Sequence, residues 1–201
     1  MAKKTLLAAF DFDHTIIDDN SDLIAQVELA RTIEAIPEVT GMSFLLQRLY
    51  DLNWEIIIIS DSNSYFIKRW LESRGLAGIV AKVYTNPGEF TEDGRLKIRK
   101  YHVQNWCKLS TRNLCKGHVL ETHLATARKA GSALRRVAYV GDGRNDLCPA
   151  LKLTRDDFVL PRVGYPLNQL LEDHQRRPRA TIVPWTSPEQ ILRVLEGISQ
   201  T

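Results

Sequence analysis

Short apolar runs of strand length recur along this chain, and between them leucine and isoleucine return at intervals of three and four residues. A chain that alternates these two periods can bury both kinds of element only by laying helices on a mostly parallel sheet. Strands are predicted over 5–10, 55–60, 136–140, 157–160 and 181–184, and helices over 43–52, 64–74, 117–130, 166–174 and 188–198. Segments 82–86 and 95–98 flank the turn-forming Asn86-Pro87-Gly88 and Asp93-Gly94, which predicts a small hairpin or flap within 82–101. The reading is a doubly wound α/β fold of one domain over 1–201, since domains cluster at roughly 100 to 200 residues.

Composition enters by exclusion. With 44% hydrophobic and 25% charged residues the chain sits near the globular average. The net charge of +3 is too small an excess to imply a nucleic-acid partner. No apolar run approaches the roughly 18 residues of a membrane helix. Leu6 to Phe10 runs straight into Asp11 and Asp13, so it reads as a strand and not as a signal peptide. Three cysteines cannot pair completely, which favours a reducing, cytoplasmic setting. Cys107 and Cys115, eight apart, are too few for a structural zinc site even with His102 and His118 nearby, and read as free thiols; Cys148 before Pro149 reads as packing. Trp54, Trp70, Trp106 and Trp185 are scattered without a stacking pattern and receive no functional role.

Three strands end in polar clusters. The first runs into Asp11-Phe12-Asp13-His14-Thr15, the second into Ser60-Asp61-Ser62-Asn63, and the third into Gly141-Asp142-Gly143-Arg144-Asn145-Asp146. Ligands of an open α/β sheet bind in the crevice beyond the carboxyl ends of the strands. Carboxylates gathered there repel one another and are costly to bury, so a divalent cation or a shared proton is the natural compensation. The hydroxyl of Ser60 can donate to a phosphate oxygen before a helix begins, or cap that helix.

These clusters, together with Lys116 at a helix start, resemble the four motifs of haloacid-dehalogenase-superfamily phosphatases in order, spacing and strand-end context, over residues 5 to about 160. A narrower resemblance rests on Asp18-Asp19-Asn20-Ser21-Asp22, Ile59 to Ser64, Asn113-Leu114-Cys115-Lys116, Tyr139 to Gly143 with Asn145 to Pro149, and Pro161 to Pro166. It points to the family of pyridoxal-phosphate and phosphoethanolamine/phosphocholine phosphatases, and the spelling around Asp61 and Thr85-Asn86-Pro87 leans toward the former.

The resemblance implies a magnesium-dependent phosphomonoesterase with a Rossmann-like core. Asp11 would be the nucleophile and Asp13 the general acid and base. Asp11, Asp142 and the backbone carbonyl of Asp13 would hold Mg2+, with Asp146 supporting its waters. Ser60 and Lys116 would stabilise the phosphoryl oxygens, and Asp22 and Asp61 would contact a small phosphorylated metabolite. From the residues alone Asp22 and Asp61 could equally be helix caps.

The chain departs from those relatives between Asp22 and Gly41, where they carry a longer helical cap; segment 23–40 has room for one helix of about four turns. Two alternatives stand beside a pyridoxal 5'-phosphate phosphatase: a phosphatase of phosphoethanolamine or phosphocholine, which the same resemblance implies, and a non-catalytic phosphate-binding remnant, which the shortened cap allows.

Overall fold

The computed structural model describes residues 4–18, 29–132, 134–172 and 177–199. Six strands form one parallel sheet: β1 (Leu6–Phe10), β2 (Glu55–Asn63), β3 (Lys82–Asn86), β6 (Arg136–Gly141), β7 (Phe158–Pro161) and β8 (Thr181–Ile182). Their spatial order is β3-β2-β1-β6-β7-β8. The chain therefore starts in the middle of the sheet, winds outward through β2 and β3, and returns to lay β6 on the other side of β1. Residues following β1 and β6 flank the resulting switch point, where loops diverge and leave a crevice.

Alternating residues feed two cores, as the two-residue strand period requires. Ala8, Phe10, Ile56, Ile58, Ala138 and Val140 face one layer, with α1 (Leu29–Ala35), α2 (Met42–Asp51), α3 (Ser64–Ser73) and α7 (Pro188–Ser199). Leu7, Ala9, Ile57, Ile59, Val137 and Tyr139 face the other, with α4 (Lys116–Lys129), α5 (Leu147–Ala150) and α6 (Pro166–Glu172). Strands buried on both faces explain why their sequences are continuously apolar. Trp54, Trp70 and Trp185 lie in the first layer, each with its indole N–H bonded, to Ser199 Oγ, Ile36 O and Leu160 O respectively.

Two elements differ from the sequence reading. Segment 82–86 is the edge strand of the main sheet and no part of a hairpin; the hairpin is β4 (Gly88–Phe90) with β5 (Leu96–Ile98), turned at Asp93 and Gly94. Asn86-Pro87-Gly88 is the junction between the two sheets. Within 23–40, the described helix is only Leu29–Ala35. Leu29 and Ile33 join the core, and the Trp70 indole and Arg74 guanidinium both donate to Ile36 O just beyond it.

Candidate active site

The acids after β1 and β6 meet at the switch point. Carboxylate oxygens of Asp11, Asp142 and Asp146 lie within 4.8 Å of one another, all buried. Lys116, the first residue of α4, reaches them from the opposite core layer and is itself 1% exposed. Its Nζ is 2.6 Å from Asp11 Oδ2 and 2.9 Å from Asp146 Oδ1. Three carboxylates against one ammonium leave two negative charges uncompensated in a buried space.

That imbalance sets the protonation behaviour. Burial, then the charge of Asp146, hold the Asp11 carboxyl well above its usual range, with Lys116 opposing. Burial and Asp146 likewise push Asp142 up to about 6. Burial disfavours the Lys116 charge, but Asp11, Asp146 and Asp61 outweigh it and raise the ammonium above its ordinary range. A divalent cation would cancel the surplus charge, and oxygen donors suit magnesium, a hard ion. Asp11 and Asp142 fit that role.

Asp146 is differently engaged. Oδ1 takes Lys116 and the Tyr139 hydroxyl at 2.6 Å, and Oδ2 takes the backbone N–H groups of Asp142 at 3.1 Å and Gly143 at 2.9 Å. Four donors fill the acceptor sites of a carboxylate, so Asp146 braces the turn and Lys116. This close approach requires glycine at 141, where a Cβ would lie 2.6 Å from Asp146 Oδ2.

Thr15, fully buried, donates to Asp142 Oδ1 at 3.0 Å, tying the β1 loop to the β6 loop. Asp11 Oδ1 accepts the Phe12 N–H at 2.7 Å. Asp13 is half-buried in the same loop. Beyond it His14 takes a left-handed backbone, φ 51°, and Arg162 holds this stretch by donating to His14 O at 2.7 Å and to Asp18 at 2.9 Å.

At the end of β2, capping falls to Asn63, whose side chain accepts the Phe66 N–H at 3.0 Å. Ser60 is buried and accepts the Ser62 N–H at 3.1 Å, which leaves its hydroxyl proton to donate. Asp61 caps nothing; it accepts from Thr111 Oγ1 at 3.1 Å and Asn145 Nδ2 at 2.6 Å. Thr85 and Asn86 on β3 fasten the backbone carbonyls of Ser62 and Asp61. Asp22 lies outside the described residues.

The sequence reading had no role for Thr15, Tyr139, Thr111, Asn145 or Arg162. Tyr139 carried a signal, since a phenol in an otherwise aliphatic buried strand needs a partner.

The architecture is that of a haloacid-dehalogenase-type phosphatase. A substrate-bound phosphoserine phosphatase structure superposes with a TM-score of 0.61 at 14% identity, covering 96% of this chain and 99% of that one. D,D-heptose 1,7-bisphosphate phosphatase from B. bronchiseptica, complexed with magnesium and phosphate, gives 0.58 at 13% identity, covering 96% and 98%. More specifically, residues 24–198 match the family model described as "Putative Phosphatase", and the chain belongs to that family. Pyridoxal phosphate phosphatase PHOSPHO2 of Rattus norvegicus is 33% identical over 239 aligned positions, covering 97% of this chain and 99% of the relative. A thiamine phosphate phosphatase-like protein of Arabidopsis thaliana is 30% identical, covering 100% and 97%. The phosphoethanolamine/phosphocholine phosphatase of Gallus gallus is 36% identical, covering 82% of this chain and 63% of the relative. The protein is a phosphatase, a hydrolase of phosphoric monoesters.

Proposed function

We propose that this chain is a magnesium-dependent phosphomonoesterase of a small phosphorylated metabolite, pyridoxal 5'-phosphate foremost, working through a phosphoaspartate on Asp11. The observation that carries the reading is the buried Asp11–Lys116 pair within the carboxylate cluster at the sheet's switch point.

A carboxylate oxygen of Asp11 attacks phosphorus, and the bond from phosphorus to the ester oxygen breaks. Asp13 gives its proton to the leaving oxygen. Asp13 then takes a proton from water, whose oxygen attacks the same phosphorus, freeing inorganic phosphate and restoring Asp11. Lys116 uses two of its three N–H donors on Asp11 and Asp146, leaving the third for a phosphoryl oxygen. Ser60 supplies a second donor. Asp11, Asp142 and the backbone carbonyl of Asp13 would hold magnesium, which when bound offsets the surplus acid charge and polarises the phosphoryl group.

Asp61, held by the neutral donors Thr111 and Asn145, keeps spare acceptor sites and does not discriminate between the candidate substrates. The substrate preference rests on the rat pyridoxal phosphate phosphatase, which aligns along nearly its whole length. That alignment contains more positions than this chain has residues, so it carries gaps; together with the shortness of 23–40 read from the sequence, this fits a reduced insertion and hence looser selection among substrates. Asp22, just before that segment, is assigned to substrate contact in the same reading. Three cysteines without a disulfide fit a cytoplasmic setting.

The test is phosphate release from pyridoxal 5'-phosphate, phosphoethanolamine, phosphocholine and a generic aryl phosphate, with and without magnesium, alongside Asp11→Asn. Fastest magnesium-dependent release from pyridoxal 5'-phosphate, lost in the variant, is expected. Faster release from phosphoethanolamine or phosphocholine would overturn the substrate, and full activity in Asp11→Asn would overturn the mechanism.

A further inference from the structure

Cys107, Cys115 and Cys148 belong to three segments separated in sequence: the loop following the hairpin, the residue capping α4, and α5. The fold brings their sulfurs together. Cys148 Sγ lies 3.4 Å from Cys107 Sγ and 3.7 Å from Cys115 Sγ, and all three lie within 4.8 Å of one another. Cys148 does pack in the core, as its sequence context indicates, but its sulfur completes a cluster that Cys107 and Cys115 alone could not form. This cluster shares no residue with the acidic site.

The surroundings hold the three sulfurs in place. Gln104, 2% exposed, accepts the Cys107 N–H at 2.8 Å and donates to the carbonyls of Cys107, Ser110 and Thr111, curling the loop inward. His102 Nε2 accepts the Cys115 N–H at 2.8 Å. Glycine at 117 lets α4 approach α5 closely, since a Cβ there would stand 2.5 Å from the Cys148 sulfur. One side of the cluster opens to a cleft of about 520 Å³, which His118, Lys108 and Lys152 also line.

We propose that Cys107, Cys115 and Cys148 form a binding site for a thiophilic divalent ion of the zinc class, with the fourth coordination position facing the cleft, open to His118 or water. Tetrahedral Zn–S bonds of about 2.3 Å place sulfurs roughly 3.8 Å apart, close to the spacing already present. Soft thiolates select zinc over magnesium, so the two clusters sort ions by ligand chemistry. Each thiol gives up its proton on coordination, releasing up to three protons per ion to solvent. Of the charged groups lining the cleft, Lys152 is paired with Glu121 at 3.2 Å, so Lys108 is the cation left to offset the negative charge of a three-thiolate complex. An ion here would clasp the segments that deliver Thr111, Lys116 and, two residues before Cys148, Asp146.

The test uses the full chain, reduced and stripped of metal, titrated with Zn2+ against a chromophoric chelator and separately with Co2+. One zinc per chain is expected, with a thiolate-to-Co2+ charge-transfer band in the near ultraviolet. Cys107→Ser and Cys148→Ser should each weaken zinc at least tenfold and lose the band, while Asp142→Asn keeps both. Absence of the band in the wild-type protein would overturn the proposal, and that measurement needs no variant to fold. Undiminished zinc affinity in both serine variants would overturn it, as would a Cys107–Cys148 disulfide in protein purified with zinc present.

Discussion

Lys116 Nζ stands 2.6 Å from Asp11 Oδ2, with the lysine 1% exposed and the aspartate 7%. The two residues come from different elements, Asp11 directly following β1 and Lys116 opening α4. In the proposed chemistry the lysine has two tasks that one experiment separates: it keeps the acids folded together and it receives phosphoryl charge.

Lys116→Met removes the only buried cation in this cluster among the described residues. Leaving buried charges without their partner costs about 3–5 kcal/mol, read as a lower urea midpoint. Loss of one electrostatic donor lowers kcat by about 10²–10³. Saturating magnesium should recover part of the stability and little of the rate. Recovery of both would show that Lys116 acts only as a structural counter-charge.

Asp11→Asn keeps the shape of the side chain and removes one of the crowded negative charges. Turnover should vanish while the thermal transition stays near that of the wild type. With a labelled phosphate ester, acid-quenched wild type should retain label on protein and the variant none. Label in the variant would move the nucleophile elsewhere.

Much of this site was legible because its elements announce themselves locally. A strand of aliphatic residues that ends in Asp11, in Ser60 or in Asp142 carries its own boundary, and parallel strands align those boundaries at one edge of the sheet. Lys116 could be singled out only by resemblance, because nothing around a lysine at a helix start tells a buried one from a surface one. The partners Thr15, Tyr139, Thr111 and Asn145 were not legible, since each bond joins segments whose proximity only the tertiary fold creates. Thr15 to Asp142, for example, spans the whole path from β1 to β6. Residues 82–86 misled for a related reason: an edge strand followed by a turn and a hairpin has the local pattern of a hairpin arm.

Tyr139→Phe tests the bracing of Asp146. The phenol donates at 2.6 Å inside the protein, and burial together with Asp146 raises its pKa, so it stays protonated. Removing a hydrogen bond to a buried charge costs about 1–3 kcal/mol. The variant should lose stability by that amount and lose less rate than Lys116→Met, because Asp146 keeps its bonds to Lys116, Asp142 and Gly143. An unchanged denaturation midpoint would mean the bond contributes nothing net.

Magnesium should raise stability as well as rate. An ion that binds only the folded state adds RT ln(1 + [L]/Kd), about 2.7 kcal/mol at a hundredfold excess over Kd. Chelation by EDTA should silence phosphate release and lower the melting temperature together. Asp142→Asn should abolish the magnesium-induced rise in melting temperature. A rise that survives in this variant would place the ion away from the acidic cluster.

Stability should also carry a small acid-sensitive part away from the active site. Glu55, at the start of β2, lies 3.4 Å from His123 Nε2, whose Nδ1 meets the Tyr84 hydroxyl at 2.9 Å. The contact to His123 outweighs burial and holds the Glu55 carboxyl below its ordinary value near 4.5. A lowered carboxyl pKa stabilises the fold fully above 4.5, and that contribution disappears as pH falls through the lowered value. The pair is partly exposed and longer than a good hydrogen bond, so Glu55→Gln should lower the melting temperature at pH 7 by no more than about 3 °C. The gap between wild type and variant should close on acidification below pH 4.5. A gap that stays constant with pH would assign the effect of the substitution to packing and not to charge.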